Sequence, residues 1–192
     1  MGSFTVVGMD PSMRNWGLAV ADLDLIGSVF ELQVNKLELI NPVITKSKQV
    51  RQNSKDMEGT KQIVEQLLPL LKGAKFVFVE VPVGSQSARA MMAYGACIGI
   101  LGSLRALGNT FIEVTPTEVK KEATGKATAS KREMIQWAYE KHPEAPWPMH
   151  KLKGELVVSE GKAEHMADAI GAIYAGMRTN EFSFFMNHIQ AA

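Results

Sequence analysis

The apolar residues of this chain fall into short runs with strand-like spacing and longer runs with helical spacing. The run Phe4-Thr5-Val6-Val7-Gly8-Met9, closed by Asp10, predicts a first strand. Turn-forming residues follow from Pro11 to Asn15, and Trp16-Gly17-Leu18-Ala19-Val20-Ala21 predicts a second. From Val29 to Ile40 apolar residues alternate through Phe30, Leu32 and Val34, then resume at Leu37 and Leu39. That slip in register predicts a β-bulge between Val34 and Leu37. Three strands joined by short connections predict an antiparallel meander.

The rest alternates between helix and strand. Residues 41–54 are polar and basic. Met57, Ile63, Val64, Leu67, Leu68 and Leu71 then recur at helical spacing, and Gly73 ends the helix. Phe76-Val77-Phe78-Val79-Glu80-Val81 is apolar except at Glu80 and predicts a strand covered on both faces. Residues 82–87 predict a loop, and 88–107 a helix rich in small residues. A strand over 110–114 follows, then a short helix opened by Pro116 and ending near Ala123. Residues 130–141 predict another helix. The segment 142–162, with Pro143, Pro146 and Pro148, predicts a surface loop, and a helix spans 162–177. The apolar tail of Phe182, Phe184, Phe185, Met186 and Ile189 predicts docking onto the core. The expected class is α/β, a mixed five-stranded sheet with helices on both faces. No repeat or linker divides residues 1–192, so one domain is expected.

Composition narrows the setting. At 46% hydrophobic and 21% charged, the chain is that of an ordinary soluble protein. A lone cysteine, Cys97, excludes an intrachain disulfide and fits a reducing compartment. Its neighbours Ala96, Ile98 and Gly99 mark it as a buried structural thiol. The N-terminal segment lacks a basic n-region and a long apolar core, and no apolar run is long enough to span a bilayer. A cytoplasmic location without membrane association is therefore expected. The net charge of +1 leaves any nucleic-acid partner to be read from local patches.

Three carboxylates stand out. Asp10 and Glu80 each close an apolar strand, where an unpaired charge is costly. Asp168 flanks the apolar helix. At about 100° per residue, His165 and Asp168 lie only about 60° apart, roughly 140° from the face centred on Met166, Ile170, Ile173 and Met177. Singly, each acid has a plainer reading: a turn former, an edge carboxylate paired to an arginine, or a solvated helix position. Together they read as one divalent-metal site at the edge where parallel strands end. Mg²⁺ suits such oxygen ligands, and Mn²⁺ accepts the imidazole better.

In order, these residues resemble the RuvC family of Holliday junction resolvases, within the RNase H-like nucleases. Gly8-Met9-Asp10-Pro11-Ser12 followed by Gly17-Leu18-Ala19 is similar to the family's opening motif, and Glu80 to its second carboxylate. Pro116-Thr117-Glu118-Val119-Lys120 and the stretch Gly125 to Lys131 match its lysine-bearing signatures. His165 followed by Asp168-Ala169 matches its last motif. Ser12 and Ala127 replace glycines of the pattern, and Val83 stands where some members carry an aromatic wedge.

The resemblance implies an RNase H-like fold and phosphodiester hydrolysis assisted by two Mg²⁺ ions per site, with Mn²⁺ able to substitute. Asp10, Glu80, His165 and Asp168 would be the metal ligands, with Asp10 bridging both ions. Lys131 would complete the catalytic set by neutralising the scissile phosphate. Lys120 would grip a neighbouring phosphate, with Lys121, Lys126, Arg132, Ser85 and Gln86 also contacting DNA. A second basic cluster, Lys46, Lys48, Arg51 and Lys55, would attract DNA backbone without reading sequence. The implied partner is branched DNA, four-way junctions above all. The implied assembly is a homodimer through the helix from about Ala88 to Leu107. Three other readings share parts of this pattern: a broader branched-DNA or flap endonuclease, an actin-like or sugar-kinase-like ATPase fragment, and a catalytically inactive DNA-binding dimer.

Overall fold

The N-terminal alternation forms three antiparallel strands, β1 (Ser3–Asp10), β2 (Trp16–Ile26) and β3 (Val29–Ile40). The structure is a computed structural model that describes residues 3–26 and 29–191. The side chains of 189–191, including the expected tail contact Ile189, lie outside the described residues. Val20 pairs with Lys36 but Ala21 with Val34, so Asn35 is the extra residue of the predicted bulge. Its side-chain amide donates to Asp22 Oδ2 at 2.8 Å.

β4 (Phe76–Glu80) and β5 (Phe111–Val114) complete the sheet in the order β3-β2-β1-β4-β5. β4 runs parallel to β1, and β5 parallel to β4. This is the RNase H-like arrangement expected from the sequence. Side-chain alternation sends Val7, Met9, Val77 and Val79 to one face, against Ile63 and Leu67 of α1 (Gln52–Leu71) and Cys97, Ile100 and Leu104 of α2 (Ala88–Ala106). Val6, Phe76 and Phe78 face the other side, covered by α3 (Pro116–Thr124), α4 (Lys131–Lys141), α5 (Glu160–Met177) and α6 (Asn180–Ala191). Each such fully buried apolar side chain contributes roughly 1.5–3 kcal/mol against the entropy of folding.

α5 is the central helix of that layer. The sequence presents it as one apolar face, but ten of its residues are buried. Small residues explain the difference. On the sheet side, a Cβ at Gly176 would fall on the Phe78 ring. On the far side, one at Gly171 would meet Val119 of α3 and, at 3.4 Å, Met134 of α4. Capping boxes hold the covering helices: Thr115 with Glu118 starts α3, and Ser130 with Glu133 starts α4. Gly125 ends α3 in the left-handed conformation at φ 74°.

Two expectations need correction. Residues 142–162 are not all loop: β6 (Met149–Leu152) and β7 (Glu155–Val158) form a hairpin turned at Lys153 and Gly154, φ 50° and 94°. The apolar tail docks only in part: as helix α6 it buries Phe182 and Met186, whereas Phe184 stays exposed. Among the described residues no helix is long and apolar enough to cross a membrane.

Candidate active site

Asp10 and Glu80 reach the same edge because β1 and β4 are parallel neighbours. Gly8 pairs with Phe78 and Met9 with Val79, so the next step of the ladder sets Asp10 beside Glu80. By alternation both carboxylates share the face of Val6, Gly8, Phe76 and Phe78, which is the face α5 covers.

Two glycines seat α5 there. A Cβ at Gly8 would fall on the carbonyl oxygen of Ala169, and one at Gly17, the β2 partner of Asp10, on that of His165. The helix backbone thus lies directly on the strands at the residues flanking Asp168. His165 Nδ1 shares a hydrogen bond with Asp10 Oδ2, and both side chains are mostly buried. That bond raises the His165 pKa above its ordinary value, with burial opposing it.

The carboxylates repel one another in a poorly solvated place. Burial, then the charges of Asp10 and Asp168, push Glu80 up to about 8. Burial and the charge of Asp10 push Asp168 up to about 7, with His165 opposing. Only Lys120 acts on both as a favourable charge. This is negative charge in excess of what the protein supplies to balance it.

The other expected site residues spread more widely. Lys120 lies near the carboxylates, whereas Lys121 lines a surface cleft with Glu122 and Arg178 at the opposite end of α5. Lys131 opens α4 and binds Glu164 Oε1 at 2.6 Å. Lys126 pairs with Glu133 at 3.0 Å. Arg132 lines a groove between α4 and the β6–β7 hairpin. Ser85 and Gln86 are exposed in the loop before α2. Glu164 was not among the expected site residues, yet its charge acts on both His165 and Asp168. Its place one turn before Asp168 was a legible signal. Cys97 is buried and its thiol is pushed up to about 12, chiefly by burial, as a structural cysteine would be.

Of the second basic cluster, Lys46 and Lys55 line a cleft of about 720 Å³ with Arg14 and Arg89. One acid, Asp56, sits among them and binds Arg89 through two hydrogen bonds, 2.8 and 2.9 Å.

Among the described residues no group of three or more His, Cys, Asp and Glu side chains is arranged to hold a metal ion as it stands. Asp10 is engaged with His165. The donor chemistry nonetheless fits a hard divalent cation: oxygen ligands at one sheet edge, beside an imidazole, with uncompensated charge.

No family model matches this chain, and no curated protein does. Its fold is similar to solved structures of RuvC from Thermus thermophilus. One is 21% identical, covers 95% of this chain and 96% of that one, and gives a TM-score of 0.61. Another, in complex with a Holliday junction substrate, is 20% identical over 89% of this chain and 93% of that one, with a TM-score of 0.62. The chain has a RuvC-like, RNase H-like fold across most of its length.

Proposed function

We propose that this chain is a metal-dependent endodeoxyribonuclease that cuts branched DNA, resolving four-way junctions as a homodimer. What supports this reading is the Asp10–His165 hydrogen bond where β1 and β4 end under α5, with Glu80 raised by burial and the charges of Asp10 and Asp168, and Asp168 raised by burial and the charge of Asp10. A bound Mg²⁺ or Mn²⁺ would supply a Lewis acid for the phosphate and an activated water. Asp10, Glu80 and Asp168 would hold it, with His165 turning from Asp10 to join them. Lys120 would grip phosphate near the carboxylates. Lys126, Arg132, Ser85 and Gln86 would line the path of the strand, and the cleft of Arg14, Lys46 and Lys55 would take a second stretch of backbone.

The dimer would use α2. Its outward stripe runs through Met91, Gly95, Ile98, Gly99 and Gly102. Met91 and Ile98 are exposed, and a Cβ at any of these three glycines would meet open space. A twofold contact there would place two sites for the paired cuts that a four-way junction requires.

The test is cleavage of synthetic four-way junctions, flaps and plain duplex, with Mg²⁺ and with chelator. Junctions are expected to be cut only with metal, and duplex not. Asp10→Asn is expected to lower cutting to the chelator control while junction binding persists. Equal cutting of duplex and junction would overturn the resolvase reading. Val83, 76% exposed where an aromatic wedge would stand, favours a broader branched-DNA specificity as the second reading. Comparable cutting of flaps and junctions would support it.

A further inference from the structure

Lys131 is the first residue of α4, with its side chain 77% exposed, but its ammonium does not run free into solvent. Nζ lies 2.6 Å from Oε1 of Glu164, whose side chain is only 21% exposed. Each partner rises from a fixed base. The Ser130–Glu133 capping box sets the first turn of α4. Glu164 stands on α5, which is clamped to the sheet through Gly8 and Gly17. Glu164 and Asp168 are also neighbours on one helix face, one turn apart. The ion pair therefore draws a long, flexible side chain across from α4 to the rim of the carboxylate cluster.

An exposed ion pair between two mobile side chains contributes little, because holding both in one geometry offsets the attraction. Here the anion is largely buried, so the ordering falls mainly on the lysine. An ammonium also retains free N–H donors after Glu164 has accepted one.

We infer that Glu164 is a positioning residue that holds the Lys131 ammonium beside Asp168, with its remaining donors directed to the scissile phosphate. This rests on the nuclease reading above and adds a residue outside the carboxylate–imidazole set. A competing arrangement makes the opposite prediction. If Glu164 were a latch that withholds Lys131 from phosphate, its removal would speed cleavage.

The experiment uses the intact chain, Mg²⁺ and a synthetic four-way junction, comparing the parental protein with Glu164→Gln, Glu164→Asp, Glu164→Ala, Lys131→Ala and the Glu164→Ala/Lys131→Ala double variant. Glu164→Ala is expected to lower kcat roughly 10-fold, with KM changed by less than about twofold. Glu164→Asp is expected to recover part of the loss. The double variant is expected to be no slower than Lys131→Ala alone, since both changes disable one device. A second readout needs neither DNA nor metal. Acetylation of Lys131 by acetic anhydride, followed by mass spectrometry, is expected to be faster in Glu164→Gln than in the parental protein.

Cutting by Glu164→Ala at or above the parental rate would overturn the inference. So would fully additive losses in the double variant, or unchanged acetylation of Lys131. A parental protein that cuts no branched DNA would instead sink the nuclease reading, while the acetylation comparison still reports on the pair.

Discussion

The folded protein resists placing charge on Glu80 and Asp168. Their pKa values are raised, to about 8 from 4.5 and to about 7 from 3.8. The folded state therefore holds protons that the unfolded chain has already released. The stability this contributes is greatest below the unfolded carboxylate values and is lost as pH rises through the folded ones. Metal-free protein is thus expected to show a falling thermal midpoint as pH climbs from about 4.5 to about 8. Glu80→Gln should flatten that fall, and so should excess Mg²⁺, which binds the ionised acids. Thermal scans at several pH values, with chelator and with Mg²⁺, check this. A metal-free midpoint that rises across the window would contradict it. Asp10, Glu80 and Asp168 were legible because acids that interrupt apolar runs are conspicuous. The Asp10–His165 hydrogen bond was not, since a helical wheel gives direction along one helix and nothing about what lies opposite. The Glu164–Lys131 pair escaped for the same reason: it joins two helices whose packing is set by tertiary contacts.

The elements around the site divide along similar lines. β1 to β5 and α1 to α5 were readable from period, turn residues and caps, down to the bulge at Asn35. The β6–β7 hairpin was hidden because its strands are four residues each, largely exposed, and preceded by three prolines in 142–148. Its turn, Lys153-Gly154, lacks the asparagine or aspartate that usually announces such a hairpin. α6 was half legible. Phe182, Phe185 and Met186 have helical spacing, and Phe182 inserts among Phe30, Phe76 and Phe78. The decisive feature at this scale is how closely α5 sits on β1 and β2, which Gly8 and Gly17 permit. Backbone atoms lie where their Cβ atoms would go, so no rotamer change can make room. Gly8→Ala is expected to cost about 3 kcal/mol of stability. It should also lower metal-dependent cleavage more than the lost folded fraction explains, because lifting α5 withdraws Asp168 and His165 from Asp10. Denaturant unfolding beside a cleavage assay tests both parts, and a stable, fully active Gly8→Ala would show that α5 can shift without consequence.

At the scale of the whole molecule, the proposed nuclease would need its catalytic edge and its pairing surface on separate faces, so that two copies could join without covering the site. The sheet provides that separation. α5 and the carboxylates occupy one face, and α2 lies on the other. α2 buries Cys97, Ile100, Leu101 and Leu104 inward and leaves Ile98, Gly99 and Gly102 outward. An outward isoleucine amid glycines offers little to fold stability in one copy, yet suits a self-complementary contact in which two helices approach closely. Ile98→Glu separates the two roles, since it sets like charges against each other across a twofold axis without disturbing the inward face. The expected result is an unchanged unfolding midpoint and a shift from dimer to monomer in sedimentation at micromolar protein. On a four-way junction, paired symmetric cuts should give way to single nicks at a rate limited by independent binding events. If Ile98→Glu remained dimeric and still cut in pairs, the pairing surface would lie elsewhere. If the parental chain were itself monomeric yet cut both strands together, one copy would suffice and α2 would have no part in resolution.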